Sequence, residues 1–290
     1  MPSYQILIDS QKTNNSKVSV TLLQALLSVL IEGSKGAIRL RAEGRSAVRG
    51  APPEWIKTAT QFSMELQENR LHIESPTLYD TVPELFQPND GFPELISERT
   101  SLDYLIDSLT SALTNERLDP LYDKALLEVF LGFRHVMNQG AEKIHFVNGH
   151  DLEITQESVV NFKERLADIP SPCPVKVVGK MDTIRSYDQT FRLITARSER
   201  VVKGIAKHFA PKEVQALLNQ TVLVSGMAHF SSDGKTLRVE AKDISIAQEG
   251  EEISWGDLPI PYFDNSPDKY QESQESIDED THDNISGNQW

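Results

Sequence analysis

The sequence predicts an α+β protein: a mixed α/β domain over residues 1–168, a closed five-stranded β-barrel over 175–247, and an acidic tail without fixed structure over 264–290. Three observations predict it. First, Pro174 to Ala247 reads strand, strand, strand, helix, strand, strand. Second, Pro170, Pro172 and Pro174 fall within five residues, which blocks both helix and central strand and marks a linker over 169–174. Third, the charge divides at the same places. The chain of 290 residues carries −14 overall, but residues 172–248 hold 12 Lys/Arg against 7 Asp/Glu, while residues 249–290 hold one Lys and 12 acids. The barrel is thus the one basic part of an acidic chain.

In chain order, Tyr4 to Asp9 (YQILID) reads as a strand, with the polar run QKTNNSK as the loop after it. Val18, Leu22, Leu23, Leu26, Leu27, Leu30 and Ile31 recur at three- and four-residue spacing, the pattern of a core helix, and Gly33 reads as its stop. The run KGAIRLRAEGRSAVRG then carries Arg41, Arg45 and Arg49 among its cations and reads as a second basic patch, a surface for a phosphate backbone or an acidic partner. Pro52-Pro53 opens a short helix anchored by Trp55. Gln61 to Leu66 and Arg70 to Glu74 alternate around Glu68-Asn69 as a hairpin, and the proline-rich Pro76 to Pro93 reads as an irregular connector.

Thr100-Ser101 opens a helix with the apolar stripe Leu102, Leu105, Ile106, Leu109, Leu113 and with Asp103 in its first turn, where the helix dipole favours an acid. A second helix follows Asp119-Pro120 with Leu126, Val129, Phe130, Phe133 and Val136 on one stripe. KIHFVNGHDLEI, with Asn148-Gly149 at its centre, reads as a hairpin, and Thr155 caps a last helix, QESVVNFKERLAD.

Chemistry leaves little trace. GxGxxG, GxxxxGK[ST], GxSxG, HExxH and CxxC are all missing, so no cofactor and no catalytic residue are expected. His145, His150 and Asp151 straddle a turn and lack a fourth ligand, which makes them hairpin residues rather than a metal site. Cys173 stands alone, in keeping with a reducing compartment. No run approaches the roughly 20 apolar residues of a membrane span, and MPSYQILIDS lacks the features of a secretory signal, so a cytoplasmic protein away from the membrane is expected.

The strand order of the barrel, with its helix between the third and fourth strands, resembles the OB-fold superfamily over about 75 residues. That resemblance implies a ligand face on the second and third strands and on the loops after the first and fourth. Strand alternation then turns Arg192, Lys203 and Lys207 outward, with Arg185 and Tyr187 in the first loop and Lys235 in the last. Such a face suits the backbone of a single-stranded nucleic acid, although Tyr187 is the one aromatic available for base stacking.

The segment 248–263 clusters Trp255, Leu258, Tyr262 and Phe263 among acids, which predicts either a strap folded onto the barrel or a short motif that inserts into a partner. Together, EGRSAVRGAPPEWI, the barrel and the SWGDLPIPY run resemble an uncharacterised group of bacterial proteins encoded beside small nuclease-type toxin genes. The resemblance implies an antitoxin-like partner role, with the aromatic tail as the neutralising segment and a basic toxin among the candidate partners.

The expected function is therefore a non-enzymatic binding protein whose barrel contacts single-stranded nucleic acid or a protein. The alternatives are an inhibitor adaptor acting through its acidic aromatic tail, and an enzyme with a composite site between the domains. Oligomeric state is not encoded in any local motif.

Overall fold

The computed structural model describes residues 1–10, 18–86, 94–114, 121–147, 151–185 and 188–261. Its N-terminal domain is built on a five-stranded antiparallel sheet in the order β2-β3-β1-β4-β5, formed by β1 (Ser3–Asp9), β2 (Ser63–Gln67), β3 (Arg70–Glu74), β4 (Lys143–Phe146) and β5 (Leu152–Ile154). The alternation read from the sequence turns Ile6, Ile8, Leu71, Ile73, Ile144 and Ile154 into one buried face. At about 1.5–3 kcal/mol for each large aliphatic side chain removed from water, this face and the helices on it hold the domain together.

The central helix α1 (Val20–Glu43) overturns one expectation. It runs straight through Gly33 and Gly36 to a C-cap at Gly44, so residues 35–43 of the run read as a basic patch are its second half, and Arg45 and Arg49 follow the cap. Gly33 is a packing device rather than a stop: a Cβ there would stand 2.7 Å from Leu105 Cδ1. α1 is long and apolar enough to cross a membrane by length and composition. Here its stripe of Leu22, Leu26, Leu30, Ala37 and Ile38 is instead buried in the domain core.

Around α1 pack α2 (Glu54–Ala59), α3 (Leu78–Thr81), α4 (Ser101–Leu113), α5 (Lys124–Phe130), α6 (Phe133–Asn138) and α7 (Gln156–Asp168). The caps at Thr100 and Thr155 form as predicted, each hydroxyl accepting from the backbone N–H three residues on. Thr100 and Asp103 also hold the phenol of Tyr4, at 2.6 and 2.7 Å. The helix expected after Asp119-Pro120 is broken at Leu131-Gly132 into α5 and α6. Within the proline-rich connector, the capping box of Thr77 and Asp80 forms α3.

The second domain is a closed barrel of β6 (Cys173–Arg185), β7 (Thr190–Thr195), β8 (Val201–Ile205), β9 (Thr221–Phe230) and β10 (Thr236–Ile246), in the order β10-β8-β7-β6-β9. All neighbours are antiparallel except β8 and β10, and α8 (Pro211–Gln215) sits between β8 and β9 in the chain. This is an OB-like arrangement. Val177, Met181, Phe191, Leu193, Val202, Val224 and Val239 fill the interior, with Cys173 buried among them. The first strand begins at Cys173, so Pro174 lies inside it opposite Met227.

After β10 the chain folds back onto the barrel through α9 (Glu251–Trp255) and the extended residues to Pro261. Of the two readings of this segment, a strap is what forms. Arg197 holds it by donating its backbone N–H to Gly256 O at 2.8 Å and its guanidinium to Ile253 O at 3.2 Å, and Thr236 Oγ1 donates to Pro259 O at 3.1 Å. Leu258 packs against the barrel core, and Lys176 Nζ lies 5.6 Å from the ring centroid of Trp255. Tyr262, Phe263 and the acidic tail lie outside the described residues.

Candidate functional site

The last turn of α1 organises the seam between the domains. A helix leaves its final carbonyl groups without intrahelical partners and with a partial negative charge. Barrel cations take up three of them. Lys203 Nζ donates to Arg41 O, Arg185 Nη2 donates to Ala42 O at 2.9 Å, and Arg238 Nη1 donates to Gly44 O at 3.1 Å. Lys203 also lies 3.5 Å from Glu94 Oε1, and its burial and the neighbouring Arg185 pull its pKa down against the pull of Glu94 upward.

Gly44 allows this approach. Its φ of +73° closes the helix, and a Cβ there would meet Leu237 O at 2.5 Å. The seam therefore rests on a bare backbone against β10.

The predicted ligand residues divide accordingly. Arg185, expected in the first loop, and Lys203, expected on the outward face of the third strand, are donors in the seam, because the helix end seats against the end of β6 and against β8 and β10. Arg192 lies opposite Lys203 in the β7–β8 ladder, with its Nε buried and without a hydrogen-bond partner. Lys207 and Lys235 are exposed, and Tyr187 lies outside the described residues.

The expected basic patch also comes apart. Glu43 is 2% exposed and lies between Arg39 Nε at 3.5 Å and Arg45 Nε at 2.8 Å, so two arginines of that run are buried in a triad. Arg41 donates to Leu121 O at 3.4 Å and lies over the Tyr104 ring; burial pushes its pKa down to about 10. Arg49 alone of the three named arginines is exposed.

Residues that no motif flagged complete the seam. Asp123 caps α5 by accepting from Leu126 N–H at 3.0 Å, and its other oxygen accepts from Ser46 N–H at 2.9 Å. Arg238 Nη2 donates to His229 Nδ1 at 3.1 Å and to Glu240 Oε1 at 3.1 Å. Because a guanidinium can only donate, His229 accepts at Nδ1 and carries its proton on Nε2. Burial, with Arg238 beside it, lowers the pKa of His229 to about 4, so the ring is neutral at pH 7. Tyr122 and Ser232 join their hydroxyls across the seam at 2.8 Å.

Between these groups lies a cavity of about 350 Å³, lined from one domain by Arg45, Asp123, Lys124 and Glu128 and from the other by His229, Phe230, Leu237 and Arg238, with the linker residues Ile169, Pro170 and Pro172 as a third wall. Its size falls in the range of small-ligand sites. A second groove, of about 680 Å³, runs between the strap at Leu258–Pro261 and Arg200, Val201 and Lys235. The grouping of His145 with Asp151 is an ordinary cross-strand contact at 2.9 Å, and His150 lies outside the described residues. Among the described residues there is no group of three or more His, Cys, Asp or Glu placed to hold a metal.

No protein family matches the chain, and neither a curated protein nor a solved structure does.

Proposed function

We propose that the chain is a non-enzymatic binding protein and that its ligand is a basic protein surface, engaged by the strap over residues 250–261 and the acidic residues that follow. The observation that carries this reading is the exposure of Ile253, Trp255 and Ile260, at 71%, 42% and 81%, in a segment that is itself fastened to the barrel. Apolar side chains held out from a pinned backbone bind without the full ordering cost of a free peptide. The excess of acids over residues 249–290 supplies steering toward a positive partner. A small basic toxin, the partner that the sequence resemblance implies, has that chemistry.

Two features favour this reading over the others. A single-stranded nucleic acid would have to displace the end of α1 to reach Arg185, Lys203 and Arg238. A composite enzyme would need a free base or nucleophile in the seam, whereas Asp123 is spent on capping and the Nδ1 lone pair of His229 accepts from Arg238.

The test is a binding measurement with partner captured from the native host, using the purified full-length chain, its Ile253→Asp/Ile260→Asp variant and a chain ending at Gln248. A saturable complex that weakens at least tenfold in the double variant is expected. Equal affinity in all three proteins would refute the strap as the contact surface.

A further inference from the structure

The geometry points to the interdomain cavity as a binding site for a small anion with an apolar body, a carboxylate or phosphate monoester on an aryl or alkyl group. This goes beyond the partner-binding reading and does not depend on it.

The argument is an inventory of donors and acceptors. Of the acceptors around the cavity, Asp123, Glu43 and Glu240 are committed, and Glu128, the other carboxylate on its lining, is exposed. Asp123 receives Ser46 N–H and Leu126 N–H. Glu43 receives Arg45 Nε at 2.8 Å, and Glu240 receives both Nε and Nη2 of Arg238. Donor capacity is left over. Arg45 lines the cavity and is 6% exposed, and its Nη1 is buried without a hydrogen-bond partner. Lys124 lines the cavity and is exposed. His229 carries its proton on Nε2, from which Glu240 Oε1 is 3.6 Å away, beyond hydrogen-bond reach. A buried, unpaired guanidinium nitrogen is costly, and a ligand that supplies acceptor oxygens removes that cost.

The body of the ligand is set by the other walls. Ile169, Pro170, Phe230 and Leu237 give an apolar lining that inorganic phosphate would leave unused. The proline-bearing linker makes one wall rigid without a helix or sheet behind it. Since Arg45 and Lys124 come from the N-terminal domain and His229 and Phe230 from the barrel, an occupied cavity ties the two domains together.

Phenyl phosphate and benzoate are the probes, titrated calorimetrically into the full-length protein, with inorganic phosphate and benzyl alcohol as the head-only and body-only controls. At least one anionic probe is expected to bind saturably at submillimolar concentration, at least tenfold tighter than either control, and to raise the melting temperature. The tighter of the two identifies the head group. Arg45→Met should weaken binding at least tenfold. Because that change strands Glu43, the independent pair Ala47→Phe, which adds bulk at another lining residue of the cavity, and Lys124→Met provides the decisive comparison, each with binding reduced at least threefold. No saturable binding up to several millimolar, a control that binds as tightly as the probes, or unchanged affinity in Ala47→Phe and Lys124→Met would overturn the assignment.

Discussion

Gly44→Ala tests the seam at the point where it is tightest. The residue sits at φ +73°, where a non-glycine residue costs about 1–2 kcal/mol. The added methyl would also stand 2.5 Å from Leu237 O and 3.2 Å from Arg238 Cβ. A backbone oxygen cannot swing aside as the end of a flexible side chain does, so the domains must move apart, at about 1–3 kcal/mol for overpacking of this kind. Gly50 provides the control: its φ is +108°, and a Cβ there meets nothing within 4 Å. Gly50→Ala therefore incurs the conformational cost alone. Hydrogen exchange over residues 40–47 and urea denaturation should both rank Gly44→Ala as the more damaging, by about 1–3 kcal/mol, which corresponds to about 5- to 150-fold faster exchange where opening of the seam limits it. Equal effects of the two substitutions would mean that the helix end is not pressed against β10, and the reasoning would fail.

Stability should also respond to pH through His229. Its folded pKa of about 4 lies below the ordinary value of 6.5, so between those values the unfolded chain binds the proton and the folded chain does not. Stability then falls as pH drops through this window, by about 1–2 kcal/mol once solvent screening of a partly exposed ring is allowed for. Denaturation midpoints from pH 7 to 4.5 should show the loss in wild type and a flatter profile in His229→Gln; a wild-type profile flat over that range would contradict the lowered pKa of His229. Asp123→Ala should cost about 2–4 kcal/mol in urea denaturation, from the lost cap and the stranded Ser46 N–H, with Asp123→Asn much milder. A loss below about 1 kcal/mol would remove Asp123 from the account.

The barrel was legible because each strand and the helix between the third and fourth are local features with their own turn residues, such as Asp233-Gly234 before β10. The caps at Thr100 and Thr155 were legible for the same reason. What could not be read was the meaning of a residue that depends on a distant neighbour. Gly33 looks like a helix stop in sequence and becomes a helix–helix contact only because Leu105 lies against it. The arginines of residues 39–45 look like a surface patch, and Glu43 between them gave the available hint: one acid flanked by two cations at spacings of four and two suits a buried triad as well as a solvated face. Strand alternation turns Lys203 to the outer surface of the barrel, whereas Arg185, expected in the loop after the first strand, is the last residue of β6. That this surface receives the end of α1 involves contacts more than 140 residues apart, and no local pattern encodes it.

The strap is an intermediate case. Its density of Trp255, Leu258 and Ile260 marked it as more than a linker, but packing against the barrel and insertion into a partner draw on the same apolar residues. The structure uses Leu258 inward and leaves Ile253 and Ile260 outward.

The central claim is that the protein's own helix end takes up Arg185 and Lys203, two cations of the face on which OB-like barrels take single strands. Fluorescence anisotropy of a labelled single-stranded 15-mer with the full-length protein at low salt tests it most directly. The account predicts no saturable binding tighter than about 10 μM, near the range of non-specific association. Submicromolar binding that weakens steeply with salt and is lost on changing Arg185 and Lys203 would contradict it.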